Sequence, residues 1–206
     1  ISYPWCIIGL RGLEIALDRI GGAIESQIIF HPFELNPDMP PGGQDIGEHI
    51  AQKYGASPQQ RKANGAMIRQ RAADVGFTMA DRLDGRIYNT FDAHRLLHWA
   101  KFEGCQLELK HRLFSAYFTD GEAPEDHDVL IRCGADAGLD PEKARAILES
   151  DRFAAEVRAE EETWRRGGVS SVPTIVIDDR YVINGGQPPE AFERALRRIA
   201  EEAVGA

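Results

Sequence analysis

Tyr3-Pro4-Trp5-Cys6-Ile7-Ile8-Gly9, near the start of the chain, and Ser171-Val172-Pro173-Thr174, near its far end, decide the fold between them. The first stretch has the form of a Cys-Pro-Trp-Cys redox motif with tyrosine in the leading cysteine's place. It opens a run in which Ile7, Ile8, Leu10, Leu13, Ile15, Leu17 and Ile20 recur at helical spacing, and Gly21-Gly22 ends that run as a C-terminal cap does. The pattern predicts a helix over Pro4 to Ile20. A motif at such a helix start is normally fed by a buried strand, and only Ile1 and Ser2 precede the motif, so a first strand is expected upstream of the sequence.

Downstream, Ile28 to Leu35 reads as a short strand with Pro32 at an edge or bulge. Pro37, Pro40, Pro41, Gly42 and Gly43 break the chain into a loop. From Asp45 to about Arg166 the signals are helical, with Ser57-Pro58 and Asp140-Pro141 as helix starts and Gly104 and Gly138 as stops. Glu161 to Arg165 and Glu162 to Arg166 have the spacing of a solvated helix face. After Gly167-Gly168 the period changes. Thr174 to Ile177 and Tyr181 to Ile183 read as a hairpin turned by Asp178-Asp179-Arg180, and a last helix follows Pro188-Pro189 with Phe192, Leu196, Ile199 and Ala200 on one face.

Composition narrows the function. A net charge of -9, from 24 Lys+Arg against 33 Asp+Glu, leaves no broad basic footprint for a nucleic-acid backbone. No apolar run reaches the roughly 20 residues of a membrane span. Three cysteines, Cys6, Cys105 and Cys133, are too few and too scattered for a secreted disulfide framework, which points to the cytoplasm. His94 and His98 share a helix face at a spacing that can bind metal, but no third ligand is evident nearby, and no metal is expected. His31 reads as a strand-end residue.

Five blocks in order, Tyr3 to Gly9, His31 to Pro37, Asn89 to Leu96, Ser171 to Thr174 and Gly185 to Glu190, resemble the DsbA-like thioredoxin-fold oxidoreductases of the FrnE type across nearly the whole chain. The resemblance implies an α/β thioredoxin-like fold with a large all-helical insertion. Residues 1–35 and 169–206 would form the two parts of the thioredoxin-like domain and residues 36–168 the insertion. It also implies that Pro173 is cis and faces the motif, with Val172 offering its backbone to an extended peptide or to glutathione. Related 2-hydroxychromene-2-carboxylate isomerases and kappa-class glutathione transferases carry serine where dithiol members carry their first cysteine, and a residue at the Asn89 position contacts ligand there.

A helix start stabilises an anion, so a thiol in the first motif position is activated, and the second cysteine resolves the mixed disulfide. With Tyr3 in that position and Cys6 in the second, a disulfide cycle between them is closed off. Cys6 reads either as a lone redox thiol or as a small buried hydrophobe. Tyr3 reads either as a phenol that donates to a thiolate, a role open to Ser2 as well, or as filler. Trp5 stacks on a ligand or shapes the groove, Pro4 opens the helix beside them, and Asn89 contacts ligand or caps a helix. Three functions follow: a thiol-disulfide oxidoreductase of DsbA lineage, the favoured one; a glutathione-dependent isomerase or transferase, with glutathione as cosubstrate; or a non-catalytic module that binds thiol- or disulfide-containing peptides.

Overall fold

Helix α1 spans Pro4–Ile20, as its apolar spacing predicts, in a computed structural model that describes residues 1–81 and 85–204. Pro4 sits in the first turn, where a missing N–H costs no hydrogen bond, and Ile7, Ile8, Leu10, Leu13, Ala16 and Ile20 are buried. Gly21, at φ 63°, ends the helix. Strand β1 (Gln44–Asp45) leads into α2 (Ile46–Tyr54) and α3 (Pro58–Asp74), and strand β2 (Arg86–Ile87) precedes α4 (Phe91–Glu103) and α5 (Gln106–Phe114). A π-helical stretch, Ser115–Asp120, extends α5. Helices α6 (His127–Asp136), α7 (Pro141–Leu148) and α8 (Ala154–Arg166), the hairpin β3 (Thr174–Ile177) and β4 (Tyr181–Asn184), and α9 (Pro189–Val204) complete the order. The helical signal over residues 82–84 lies outside the described residues.

The cap signals work as the sequence suggests. Ser57 and Gln60 form a reciprocal capping box at α3, and Asp140 accepts from the N–H groups of Glu142 and Lys143 at α7. Leu96, Leu97, Leu109, Leu113, Leu130 and Ile147 build one core among α4 to α7. A second core joins Leu13 and Ala16 of α1 to Phe192 and Leu196 of α9, and Ile28, Ile175, Ile177 and Ile183 pack on it.

Three expectations need correction. Ile28 to Leu35 is coil, not a strand. Two of its residues bond to side chains instead of a strand: Phe30 N–H donates to Gln106 Oε1 and its carbonyl accepts from Gln106 Nε2, each at 2.9 Å, and Glu34 N–H donates to Glu161 Oε1 at 3.0 Å. Pro32 has no N–H to offer. The segment therefore shares a core with the hairpin through Ile28 but no sheet. The central block is not all-helical either, because β1 and β2 pair antiparallel, Gln44 opposite Ile87. Arg86 secures the crossing by donating to the carbonyls of Gly42 and Gly43 at 2.7 and 2.9 Å; strands this short show no alternation to read. Finally, Glu161 is fully buried rather than on a solvated face, because the Phe33 to Leu35 segment covers that side of α8, while Glu162 is half-buried and Arg166 exposed.

The hairpin turns at Asp178 and Asp179, with φ of 51° and 53°, and Arg180 N–H returns to Ile177 O at 3.1 Å. Two successive left-handed residues are the geometry that Asp-Gly meets best. Asp179→Gly is expected to raise stability by about 0.5 kcal/mol, the left-handed penalty removed outweighing the entropy that glycine adds to the unfolded chain. Thermal melts of the two proteins check this, and a lowered melting temperature would count against a strained turn.

Candidate functional site

The head of α1 is built from few residues and leaves several polar groups without partners. Tyr3 takes the cap position in an extended conformation, at φ -112° and ψ 117°, and its side chain makes no capping hydrogen bond. Cys6 N–H donates to Tyr3 O at 3.0 Å, while Trp5 N–H has no acceptor among the described residues. Ser2 Oγ is buried and unpartnered. Burial pushes the Tyr3 phenol's pKa up, with Tyr54 and Cys6 nearby adding to it, so it is a protonated donor at neutral pH.

The Val172–Pro173 bond is cis. Two glycines bring this turn onto α1: a Cβ on Gly9 would meet Pro173 Cγ and Gly186 Cα, both at 3.2 Å, and a Cβ on Gly186 would meet Trp5 O at 2.7 Å. Backbone therefore lies against backbone, and the sequence block at Gly185-Gly186 has a steric cause. The chain after the proline is held by Gly185 N–H donating to Pro173 O at 2.8 Å. Val172 itself, just outside the hairpin ladder, has no partner for its own N–H and C=O among the described residues.

These groups open into a cavity of about 360 Å³. Ser2, Tyr3, Pro4, Trp5 and Val172 are among the residues that line it. The other walls come from α2, α3, Tyr88 and the π-helical stretch, whose wider turn presents Tyr117 and Phe118. Sequence reasoning missed these walls. They are assembled from segments far apart in the chain, and no local pattern marks them.

Two predicted site residues lie elsewhere. Asn89 accepts from Phe91 N–H at 2.9 Å and donates to Met39 O at 3.3 Å, so it is spent on starting α4, while its neighbours Tyr88 and Thr90 reach the cavity. Cys6 is half-buried and packs with Phe114, Tyr117 and Phe118, and it is not among the residues that line the cavity. Burial pushes its thiol pKa up, and the Lys110 ammonium pulls it back only in part. Cys133 is buried, its thiol pushed up to about 11, and among the described residues all three cysteines are free. His31 and His98 converge on Glu160, His98 Nδ1 at 3.4 Å, beside a void of about 10 Å³, and His94 is buried with Nε2 unpartnered. No cluster of His, Cys, Asp and Glu among the described residues could hold a metal ion, and no helix among them is long and apolar enough to cross a membrane.

Comparison with known proteins shows the family and the fold. The family model of the DSBA-like thioredoxin domain matches residues 2–197. An uncharacterized Bacillus subtilis (strain 168) protein, YwbO, is 24% identical over 94% of this chain and 90% of its own. The crystal structure of a probable DsbA oxidoreductase from Streptomyces coelicolor superposes with a TM-score of 0.91 at 33% identity, over 98% of this chain and 87% of that one. A 2-hydroxychromene-2-carboxylate isomerase has the same fold, with a TM-score of 0.68 at 14% identity over 99% and 94% of the two chains.

Proposed function

Because the chain belongs to the DSBA-like thioredoxin domain family, we propose that it binds a thiol- or disulfide-containing peptide, or glutathione, at the head of α1, and that Tyr3 has replaced dithiol turnover with ligand binding. In this reading residues 36–168 are the insertion that closes the cavity over a thioredoxin-like base. The observation that carries it is the backbone of Val172, unpaired among the described residues, at the cavity wall beside the head of α1, with Ser2 Oγ buried and unpartnered next to it. Such groups are rarely left unpaired: a peptide edge would pair the Val172 backbone, and a rotation of the Ser2 side chain would bring its hydroxyl to a ligand sulfur. The positive end of α1, with Trp5 N–H and the Tyr3 phenol, favours the ligand's sulfur as thiolate. Cys6 lies behind that surface with a raised pKa, which fits packing better than attack.

A glutathione-dependent isomerase or transferase would use the same hydroxyls, and the Tyr3 phenol is the feature that favours it. Calorimetric titration with reduced glutathione tests both readings. Tyr3→Phe removes one charge-assisted hydrogen bond, worth about 1.5–3 kcal/mol, and is expected to weaken binding tenfold or more. Ser2→Ala should weaken it to a smaller degree. Absence of binding by reduced glutathione and by a cysteine-containing peptide at millimolar concentration would overturn the proposal; an unchanged affinity in Tyr3→Phe would leave the phenol as filler.

A further inference from the structure

Charge is unevenly placed in this protein. Asp and Glu outnumber Lys and Arg by 33 to 24, yet the described residues lining the large cavity include Lys53, Arg61 and Arg69 and no Asp or Glu. Two of these cations are engaged: Arg69 pairs with Asp81 at 2.7 Å, and Lys53 donates to Asn36 Oδ1 at 3.0 Å. Arg61 is half-buried, and among the described residues its guanidinium has neither an ion pair nor a hydrogen bond. The carboxylate of Asp45 is near it but does not pair with it. A Cβ on Gly47 would stand 3.5 Å from Arg61 Nη2 and 3.0 Å from Asp45 Oδ1, and that oxygen already accepts Glu48 N–H at 2.9 Å.

An unpaired guanidinium at the wall of an apolar cavity is an anion receptor. Its planar fork takes a carboxylate or sulfonate through two parallel hydrogen bonds, and partial burial makes each stronger than it would be in water. Other lining residues, including Trp5, Ile68, Met79 and Tyr88, offer aromatic and aliphatic surface to the body of a ligand. We infer that the cavity takes an organic anion with a flat apolar body, its carboxylate or sulfonate on Arg61. This deepens the thiol-ligand reading, on which it rests for the shared cavity, by naming the charge and body of the ligand.

Fluorescence titration with anilinonaphthalene sulfonate, which carries no thiol, tests it against phenylnaphthylamine, which has the same aromatic body without the sulfonate. The sulfonate is expected to bind saturably, and Arg61→Gln to weaken it about tenfold while leaving phenylnaphthylamine unchanged. Arg61→Lys, which keeps the charge and loses the fork, should fall between, and Lys62→Gln on the exposed neighbouring position should change neither probe. Circular dichroism confirms that each variant is folded. Equal weakening of both probes by Arg61→Gln, equal weakening of the sulfonate by Lys62→Gln, or no sulfonate binding by the folded protein would each overturn the inference. A protein that binds glutathione but not the sulfonate loses this inference and keeps the thiol reading, and the converse result does the reverse.

Discussion

Lys110→Met is expected to stabilise the protein by about 3 kcal/mol near neutral pH. Lys110 stands on α5 and is only 7% exposed, with Nζ 5.3 Å from the Phe30 ring centre and 5.2 Å from that of Phe114. No carboxylate pairs with it among the described residues. Burial lowers its pKa from 10.5 to about 8, and Cys6 pulls weakly the other way. The sign follows from linkage. Between about pH 8 and 10.5 the unfolded chain holds this proton and the folded chain has lost it, so stability rises with pH across that window and the penalty is fully present below it. The two rings return part of the cost through cation–π attraction, and methionine fills the volume of the lysine stem without a charge. Urea unfolding of both proteins at pH 7 and pH 10 measures the gap, which should be widest at pH 7 and narrow toward pH 10. A gap that does not vary with pH, or a less stable variant at pH 7, would show that the ammonium is solvated or paired within the fold.

What the sequence made legible was local. The span of α1, the caps at Ser57 and Asp140 and the Asp178-Asp179 hairpin depend on neighbours within a few residues, and each appears where its spacing predicts. The ordered blocks around Tyr3, Val172 and Gly185 were enough for the family because a close approach of two backbones demands glycine and proline at fixed places. Long-range choices were not legible. Ile28 to Leu35 has a strand's composition, but whether its N–H groups meet a strand or the side chains of Gln106 and Glu161 is set by helices more than 70 residues away. Arg61 and Lys110 look like ordinary surface cations in the sequence. Only the fold leaves the first unpaired at a cavity wall and closes two phenylalanines around the second.

Tyr3→Cys is expected to raise disulfide turnover by about two orders of magnitude, measured as the reduction of insulin by dithiothreitol. In the unmodified protein the only motif thiol is Cys6, which lies outside the cavity lining and has a raised pKa, so little thiolate is presented to a substrate disulfide at neutral pH. A thiol at position 3 would differ in both respects. Tyr3 lines the cavity, and the unpaired Trp5 N–H and the positive end of α1 would lower that thiol's pKa. Its attack would form a mixed disulfide and release one substrate thiol. Cys6, one turn along, could then attack the same sulfur, releasing the second substrate thiol and closing a disulfide between itself and the introduced cysteine. Dithiothreitol reopens that bridge, so the electrons come from the dithiol added. Tyr3→Ser removes the phenol without adding a nucleophile and should give no gain, which separates chemistry from lost bulk. Adding Cys6→Ser to Tyr3→Cys should return turnover near the starting level and trap the mixed disulfide, visible by mass spectrometry. If the unmodified protein already turned over insulin as fast as Tyr3→Cys, the tyrosine would not be what keeps this site from cycling.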